Sequence, residues 1–304
     1  MGAETTTQET WVGDLYEDLR PLMFAIAYRM LGSVTDAEDV VQEAFLRFHR
    51  ETKAGASIDS PKAYLSAVTT RLGIDHLRSA RVRRETYVGP WLPEPLITDD
   101  ESGAEQLAEI GDSLSMAFLV LLENLTPVER AVFLLREVFD YDYAEIAQVV
   151  GKTEDNCRQI AVRARRRIED GRPRFEADRR RRDELAQYFW AAARNGDTES
   201  LIDLLAEDVV LYGDGGGQVA GAFRHAIHGK ATIGKLIGPL LQVTKKRGWT
   251  MHPAEVNGQP GCVWVDEAGD PMVVVSLDIA EDKIQTIRSV ANPDKLRHLQ
   301  QAAR

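Results

Sequence analysis

Arginine and glutamine side chains set along one face of a helix can hydrogen-bond the edges of base pairs. Arg158, Gln159, Val162, Arg163 and Arg166 fall in such a series between Thr153 and Ile168. At the 3.6-residue helical period, Asp155, Gln159, Val162, Arg163 and Arg166 share one face, and Cys157, Ile160, Ala161, Ala164 and Ile168 share the opposite one. The apolar face must pack, and the basic one can enter a groove. Gln and Arg near the start of such a helix suit base edges, whereas Arg158, Arg165, Arg166 and Arg167 suit phosphates.

The elements that must present this face precede it. Tyr143 to Val150 reads as a short apolar helix with small Ala residues where a second helix approaches, and Gly151 can take the positive φ that ends it. Thr153 offers an N-cap hydroxyl, and Glu154 and Asp155 favour the positive end of the following helix dipole. The spacing predicts a helix-turn-helix over 141–168. A helical hairpin with a solvated basic face is the alternative that periodicity leaves open.

A second basic series, Arg71, Arg78, Arg81, Arg83 and Arg84 against Asp75, follows a helix that starts near Pro61, with Ala63, Leu65, Val68, Leu72 and Leu77 expected to turn inward. Tyr64 and Tyr87 flank it, so unpaired bases could stack beside the arginines. These clusters stand out because the chain has a formal net charge of -11. Between them runs an acidic stretch, 94–112, with Asp99, Asp100, Glu101, Glu105 and Glu109 and no Lys or Arg, expected to act as a tether that DNA repels. Near the N-terminus, Thr35 to Glu38 fits a capping box ahead of an apolar stripe of Ala37, Val40, Val41, Ala44, Phe45 and Phe48. Its other face carries Asp36, Asp39, Gln42, Glu43 and Arg47, which is either a protein-docking surface or a solvated flank. Leu22, Ile26, Ala27 and Met30 mark a partner helix that ends at Gly32.

At 304 residues, 44% of them hydrophobic, the chain has room for two or three domains. No apolar run reaches bilayer length and the polar start, Gly2 to Thr10, lacks a secretory core, so a cytoplasmic protein without membrane contact is expected. Cys157 and Cys262 show no metal-ligand spacing and read as small buried hydrophobes. From about Asp183 the pattern changes. Helices at 184–195, 198–205 and 231–243 accompany strands at 209–212, 261–265, 272–279 and 284–290, an α+β arrangement whose curved sheet wraps a pocket. Tyr212, Asp214, His225, His252 and Trp264 are the polar or aromatic candidates near that pocket. No pair among them has a spacing that demands acid-base chemistry. Gly215, Gly216 and Gly217 are not a phosphate loop, because no capped helix follows at once and Gly229-Lys230 lacks the upstream glycine and the Ser/Thr. They suit a turn or a close interdomain approach.

Residues 36–47, Asp-Ala-Glu-Asp-Val-Val-Gln-Glu-Ala-Phe-Leu-Arg, resemble the polymerase-docking helix in region 2 of bacterial sigma factors. Together with the basic helix and the helix-turn-helix, residues 12–172 resemble the extracytoplasmic-function class. Trp91-Leu92-Pro93-Glu94-Pro95, Asp214-Gly215-Gly216-Gly217 and Asn292-Pro293-Asp294-Lys295-Leu296 resemble three motifs of the subgroup with a fused C-terminal SnoaL-like domain of the NTF2-like superfamily. Gln218 departs from that subgroup, which commonly carries a basic residue there. The resemblance implies two all-α modules, a region 2 helical bundle (10–88) and a region 4 helix-turn-helix (112–172), joined by an acidic linker (89–111) and followed by an α+β NTF2-like cone (180–304). It implies that Asp36, Asp39, Gln42 and Glu43 dock on core RNA polymerase, that Arg78, Arg81 and their neighbours Arg71, Arg83 and Arg84 hold the -10 promoter element, and that Asn156, Arg158, Gln159 and Arg163 read the -35 element, flanked by Val162 and Arg166. The three subgroup motifs would form an interdomain contact by which the C-terminal domain folds back on the linker and region 2. No catalysis, cofactor or metal is expected. A small-molecule or protein ligand of the C-terminal domain remains open, as does a ligand-sensing helix-turn-helix regulator that works without polymerase.

Overall fold

The computed structural model describes the backbone of residues 2–98, 111–171, 178–219 and 223–302, and the side chains of residues 15–79, 86–98, 113–171, 178–219 and 223–300. Most of the acidic tether, including Asp99, Asp100, Glu101, Glu105 and Glu109, lies outside the described residues. The chain divides into two units, one of residues 1–83, 105–113 and 121–171, the other of residues 84–104, 114–120 and 172–304.

In the first unit, α1 (Gly2–Leu31) and α2 (Val34–Lys53) meet at Gly32, whose φ of 66° reverses the chain. Ser33 then caps α2, its Oγ accepting the Asp36 N–H at 3.1 Å. The capping box expected at Thr35 and Glu38 does not form. The serine directly after the glycine turn already supplies the capping oxygen, so Thr35 lies inside the first turn and Glu38 pairs instead with Arg20 at 2.6 Å. The stripe from Ala37 to Phe48 is buried as its spacing requires. On α3 (Pro61–Glu85), Leu65, Val68 and Leu77 are buried and Leu72 half-buried. Ala63 is exposed, because it sits in the first turn, where its N–H is capped by the Ser60 hydroxyl at 3.3 Å.

After α4 (Met116–Leu122) and α5 (Pro127–Glu137), the helix-turn-helix is built from α6 (Tyr143–Val150) and α7 (Glu154–Gly171). Asp142 and Glu145 form a capping box at the start of α6, and Gly151 ends it at φ 65°. Thr153 Oγ1 accepts the Asn156 N–H at 3.3 Å and so starts α7. Ile146, Val149, Cys157, Ile160 and Ala161 close the core of this motif over Val132 and Leu135 of α5, with Ala67 of α3 packed against it.

Polar bonds join the two helical regions inside this unit. Ser66 and Tyr141 share a hydrogen bond of 2.6 Å. Arg71 donates through Nε to the Val149 carbonyl at 2.9 Å and through Nη2 to the Gln148 carbonyl at 2.7 Å, which satisfies carbonyls at the C-terminus of α6. Arg130 is 3% exposed and donates to the Met30 carbonyl at 2.6 Å while pairing with Glu123 at 2.9 Å. Burial lowers its guanidinium to about 9, so it remains charged at neutral pH.

In the second unit, α8 (Arg179–Asn195), α9 (Thr198–Asp203) and α10 (Lys230–Lys246) pack on a mixed sheet of β1 (Leu205–Asp214), β2 (Ile227–His228), β3 (Thr250–Val256), β4 (Gln259–Val265), β5 (Pro271–Ala280) and β6 (Lys283–Val290), and α11 (Pro293–Ala302) follows. The strand order is β2-β1-β6-β5-β4-β3, with β1 and β6 parallel and the other pairs antiparallel. On β5, Leu277 and Ile279 join the core under α8 and α10, whereas Val274 faces the other way, toward Leu92, Met116, Val290 and Leu296. The sheet is therefore buried on both faces. The edge strand β3 escapes the sequence pattern because Pro253 interrupts it, and proline is tolerated only where no neighbouring strand needs its N–H.

Removing one partner of a buried ion pair costs about 3–5 kcal/mol. Arg130→Ala is therefore expected to cut hydrogen-exchange protection at Leu134 and Ile146, and unchanged protection there would contradict this role.

Candidate functional site

On α7, Asn156, Arg158, Gln159, Val162, Arg163 and Arg166 are all exposed, while Cys157, Ile160, Ala161, Ala164 and Ile168 are buried. Val162 is 49% exposed in the middle of the basic face, where a methyl-bearing contact with a thymine could form. Arg158 is tied sideways, to Glu154 at 2.9 Å and Asp155 at 3.0 Å, with its guanidinium 5.1 Å from the Tyr143 ring centroid. Arg165 and Arg167 likewise pair with Glu137 and Glu129. Among the described residues no hydrogen bond or ion pair engages Gln159, Arg163 or Arg166, so these three present their donors outward.

On α2, Asp39 and Gln42 are exposed and Asp36 and Glu43 half-buried. Arg47 donates to Glu43 at 2.8 Å, a bond that holds the carboxyl below its ordinary value. Leu46, 43% exposed, lies one turn on from Gln42 and Glu43 and gives this acidic face an apolar centre that sequence reasoning missed. Asp39, Gln42, Glu43 and Leu46 stand at i, i+3, i+4 and i+7, and that helical spacing was the available signal. On α3, Arg78 is exposed and pairs with Asp75 at 3.1 Å. Arg71 is spent on the α6 carbonyls. The side chains of Arg81, Arg83 and Arg84 lie outside the described residues.

The second unit assembles the other three motifs around one carboxylate. Parallel pairing of Gly213 with Ser289 and Asp214 with Val290 ends β1 and β6 side by side, so the glycine turn and residues 292–296 start from adjacent points. Asp214, 1% exposed, accepts at Oδ1 from Tyr87 Oη at 2.5 Å and the Gly216 N–H at 3.1 Å. At Oδ2 it accepts from the Leu92 N–H at 2.8 Å and Lys295 Nζ at 2.7 Å. Lys295 also donates to the Leu92 carbonyl and sits 4.3 Å from the Trp91 ring centroid and 4.9 Å from that of Tyr87. Asn292 Nδ2 donates to the Tyr87 oxygen at 2.8 Å. Burial, followed by the Asp214 bond and charge, pushes the Tyr87 phenol well above its ordinary value and keeps it a donor. Gly216, at φ 59°, leaves no room for a side chain: a Cβ there would come within 2.3 Å of Asn292 Nδ2.

The rest of the linker is fastened along β3 and α11. His298 Nε2 bonds the Pro95 carbonyl at 2.8 Å, and Glu94 faces its Nδ1 at 3.9 Å. Asn257, fully buried at φ 53°, exchanges bonds with the Leu96 backbone at 2.8 and 2.9 Å and donates to the Leu114 carbonyl at 3.1 Å. The sequence signal for Asn257 was the Asn-Gly hairpin dipeptide, which fixes its backbone and says nothing of its side chain. Gln218 reaches the same neighbourhood with a neutral donor, Nε2 donating to Asp294 at 2.6 Å.

The sequence matches the Sigma-70 region 2 family over residues 15–83 and the Sigma-70, region 4 family over residues 115–168. It is 35% identical over 296 residues to the ECF RNA polymerase sigma factor SigJ of Mycobacterium tuberculosis (strain ATCC 25618 / H37Rv), covering 92% of this chain and 91% of that one. The crystal structure of Mycobacterium tuberculosis extracytoplasmic function sigma factor SigJ matches 93% of this chain and 97% of its own, with a TM-score of 0.74 and 32% identity. The ECF RNA polymerase sigma factor SigG of the same strain is 28% identical over 300 residues, 89% of this chain and 78% of that one. The chain belongs to the extracytoplasmic-function RNA polymerase sigma factors. Region 2 of this sigma factor comprises α1 to α3, and region 4 ends in the helix-turn-helix. Among its described residues, no helix is long and apolar enough to cross a membrane. Of the polar and aromatic candidates, Asp214 and Trp264 line the cavity beneath the sheet, while Tyr212, His225 and His252 do not.

Replacing Asp214 by Asn removes the charge that Lys295 faces and one acceptor from a buried network, at a cost of about 3–5 kcal/mol. Asp214→Asn is expected to raise the hydrogen-exchange rate of the Leu92 amide; an unchanged rate would show that the linker is seated without it. A second expectation concerns pH. Burial lowers His298 from the ordinary 6.5, against the opposing Pro95 carbonyl and Glu94. Below 6.5 the unfolded chain therefore binds the proton before the folded one does, so stability from this neutral imidazole is present above that pH and is lost as pH falls. Acidification from pH 7 toward 5 is expected to loosen the linker in the wild type, read from Trp91 fluorescence, and less so in His298→Gln; equal loosening would assign the effect elsewhere.

Proposed function

We propose that this sigma factor directs core RNA polymerase to promoters through two separate readers whose separation is controlled by the Asp214 network. In this reading Asp36, Asp39, Gln42 and Glu43, with Leu46 at their centre, dock on polymerase. Arg78, Arg81, Arg83 and Arg84 hold the -10 element. Asn156, Arg158, Gln159, Val162, Arg163 and Arg166 read the -35 element, with Gln159 and Arg163 contacting bases. Arg71 joins the -10 contacts only after it leaves the α6 carbonyls. The C-terminal domain acts as a binding rather than a catalytic module. In support, Asp214 is the one ionisable acid among the described residues lining its cavity, and four donors already occupy it.

The observation that carries the regulatory part is the Arg71 bond to α6. The two promoter elements are centred roughly 25 base pairs apart, about 85 Å along B-DNA at ~3.4 Å per base pair. α3 and α6 cannot be hydrogen-bonded to each other and also lie on elements that far apart. The segment joining regions 2 and 4 is seated on Asp214, Lys295 and Asn257, so opening must draw on that seat.

The test is single-round transcription with purified core polymerase. Gln159→Ala and Arg163→Ala should each cost about 1–3 kcal/mol in discrimination between -35 sequences; unchanged selectivity would reject the recognition-helix assignment. Asp214→Asn should raise output at limiting polymerase and leave the preferred sequence unaltered, and equal output from wild type and variant across polymerase concentrations would reject the regulatory one.

A further inference from the structure

The inner face of the C-terminal sheet encloses a cavity of about 260 Å³ that promoter reading does not use and that touches the linker seat at Asp214. Its wall is almost entirely apolar and rich in rings, with Phe189, Trp190, Phe223, Trp249 and Trp264 around it. An apolar cavity of about 150 Å³ holds benzene, so one of about 260 Å³ takes a fused bicyclic or tricyclic molecule. The mouth differs from the interior. Leu240 and Val243 are 43% and 44% exposed there, and Arg247, which also lines the cavity, holds its guanidinium 5.0 Å from the Trp249 ring centroid. Among the described residues Arg247 is the cavity's single cationic side chain, and it is exposed.

The back wall of this cavity is the strand that carries the linker seat. Along β1, Leu211 and Gly213 face the cavity, and the intervening Tyr212 belongs to the opposite cluster with Leu92. Phe223 lines the cavity with its ring against Gly213, where a Cβ would come within 2.8 Å of Cδ2. Its carbonyl lies against Gly89, where a Cβ would meet it at 3.2 Å. Phe223 thus touches the cavity with its ring and the linker, two residues from Tyr87, with its backbone, so a displacement of the whole residue reaches both.

We propose that the cavity binds an apolar fused-ring carboxylic acid, its rings among the tryptophans and its carboxylate at Arg247, and that the bound ligand loosens the linker through Phe223. A carboxylate stays at the mouth because burying it unpaired is costly, and a guanidinium there recognises it directly. The coupling rests on the regulatory reading given above; the binding does not.

The probes are 2-naphthoate and its neutral counterpart 2-naphthalenemethanol, titrated into the full-length protein with tryptophan fluorescence as readout. 2-Naphthoate is expected to give a saturable quench with a dissociation constant of about 10–100 µM. Arg247→Gln should weaken 2-naphthoate about 10-fold and leave the alcohol unchanged. Ile237→Trp, which fills the cavity, should abolish both. Saturating 2-naphthoate should speed exchange of the Leu92 amide. Absence of saturable binding by the wild type overturns the site, and so does undiminished binding by Ile237→Trp. An equal effect of Arg247→Gln on both probes overturns the acid preference, and unchanged Leu92 exchange at saturation overturns the coupling. Failure of the regulatory reading shows separately, as equal transcription by wild type and Asp214→Asn without any probe.

Discussion

A carboxylate buried at the end of a strand must find donors, and Asp214 finds two of its four outside the folded sheet, in the Tyr87 hydroxyl and the Leu92 amide. The other two, Gly216 and Lys295, follow from the chain's own continuation and from α11. Lys295 in turn needs acceptors, and Leu92 supplies a carbonyl. Without the linker, a buried ion pair would be left with unmet hydrogen bonds, a state worse than either full satisfaction or full hydration. The linker is thus part of the polar core of the C-terminal domain. Its attachment is as specific as the geometry of one carboxylate.

That geometry depends on strand pairing. Parallel alignment of β1 with β6 places the two motif-bearing strand ends together even though the motifs stand far apart in the chain. The period of two along each strand then separates two tasks. Side chains such as Leu211 and Ile287 face the helices and the cavity, and Tyr212 and Val290 face the linker. A sheet with both faces covered can transmit a displacement from one to the other because neither side has slack.

The helical half was the more legible in sequence. The α7 stripes follow from a single period, and Gly151 and Thr153 marked the turn by their backbone chemistry. The six residues proposed to face DNA lie exposed together for the same reason. What could not be read was tertiary competition. Arg71 stands among arginines that suit phosphates, yet the nearest unsatisfied oxygens are backbone carbonyls on α6, and only the fold brings those within reach. Ser33 displaced the expected cap because a helix takes the first adequate oxygen after a glycine turn. In the C-terminal half the strands under α8 and α10 were visible as apolar runs. Pro253 hid β3, and the parallel pairing of β1 with β6 leaves no local signature at all.

The Arg71 bond to α6 also bears on how affinity would be measured. A protein whose binding-competent form is a fraction of the whole shows its intrinsic dissociation constant divided by that fraction. Every ~1.4 kcal/mol by which the contacts between α3 and α6 favour the joined form therefore weakens apparent promoter binding about tenfold. The penalty would be the same for every sequence, because it is incurred before any base is touched. One chain could then read the same promoter weakly or strongly according to what already holds its joining segment, with no contact to DNA changed.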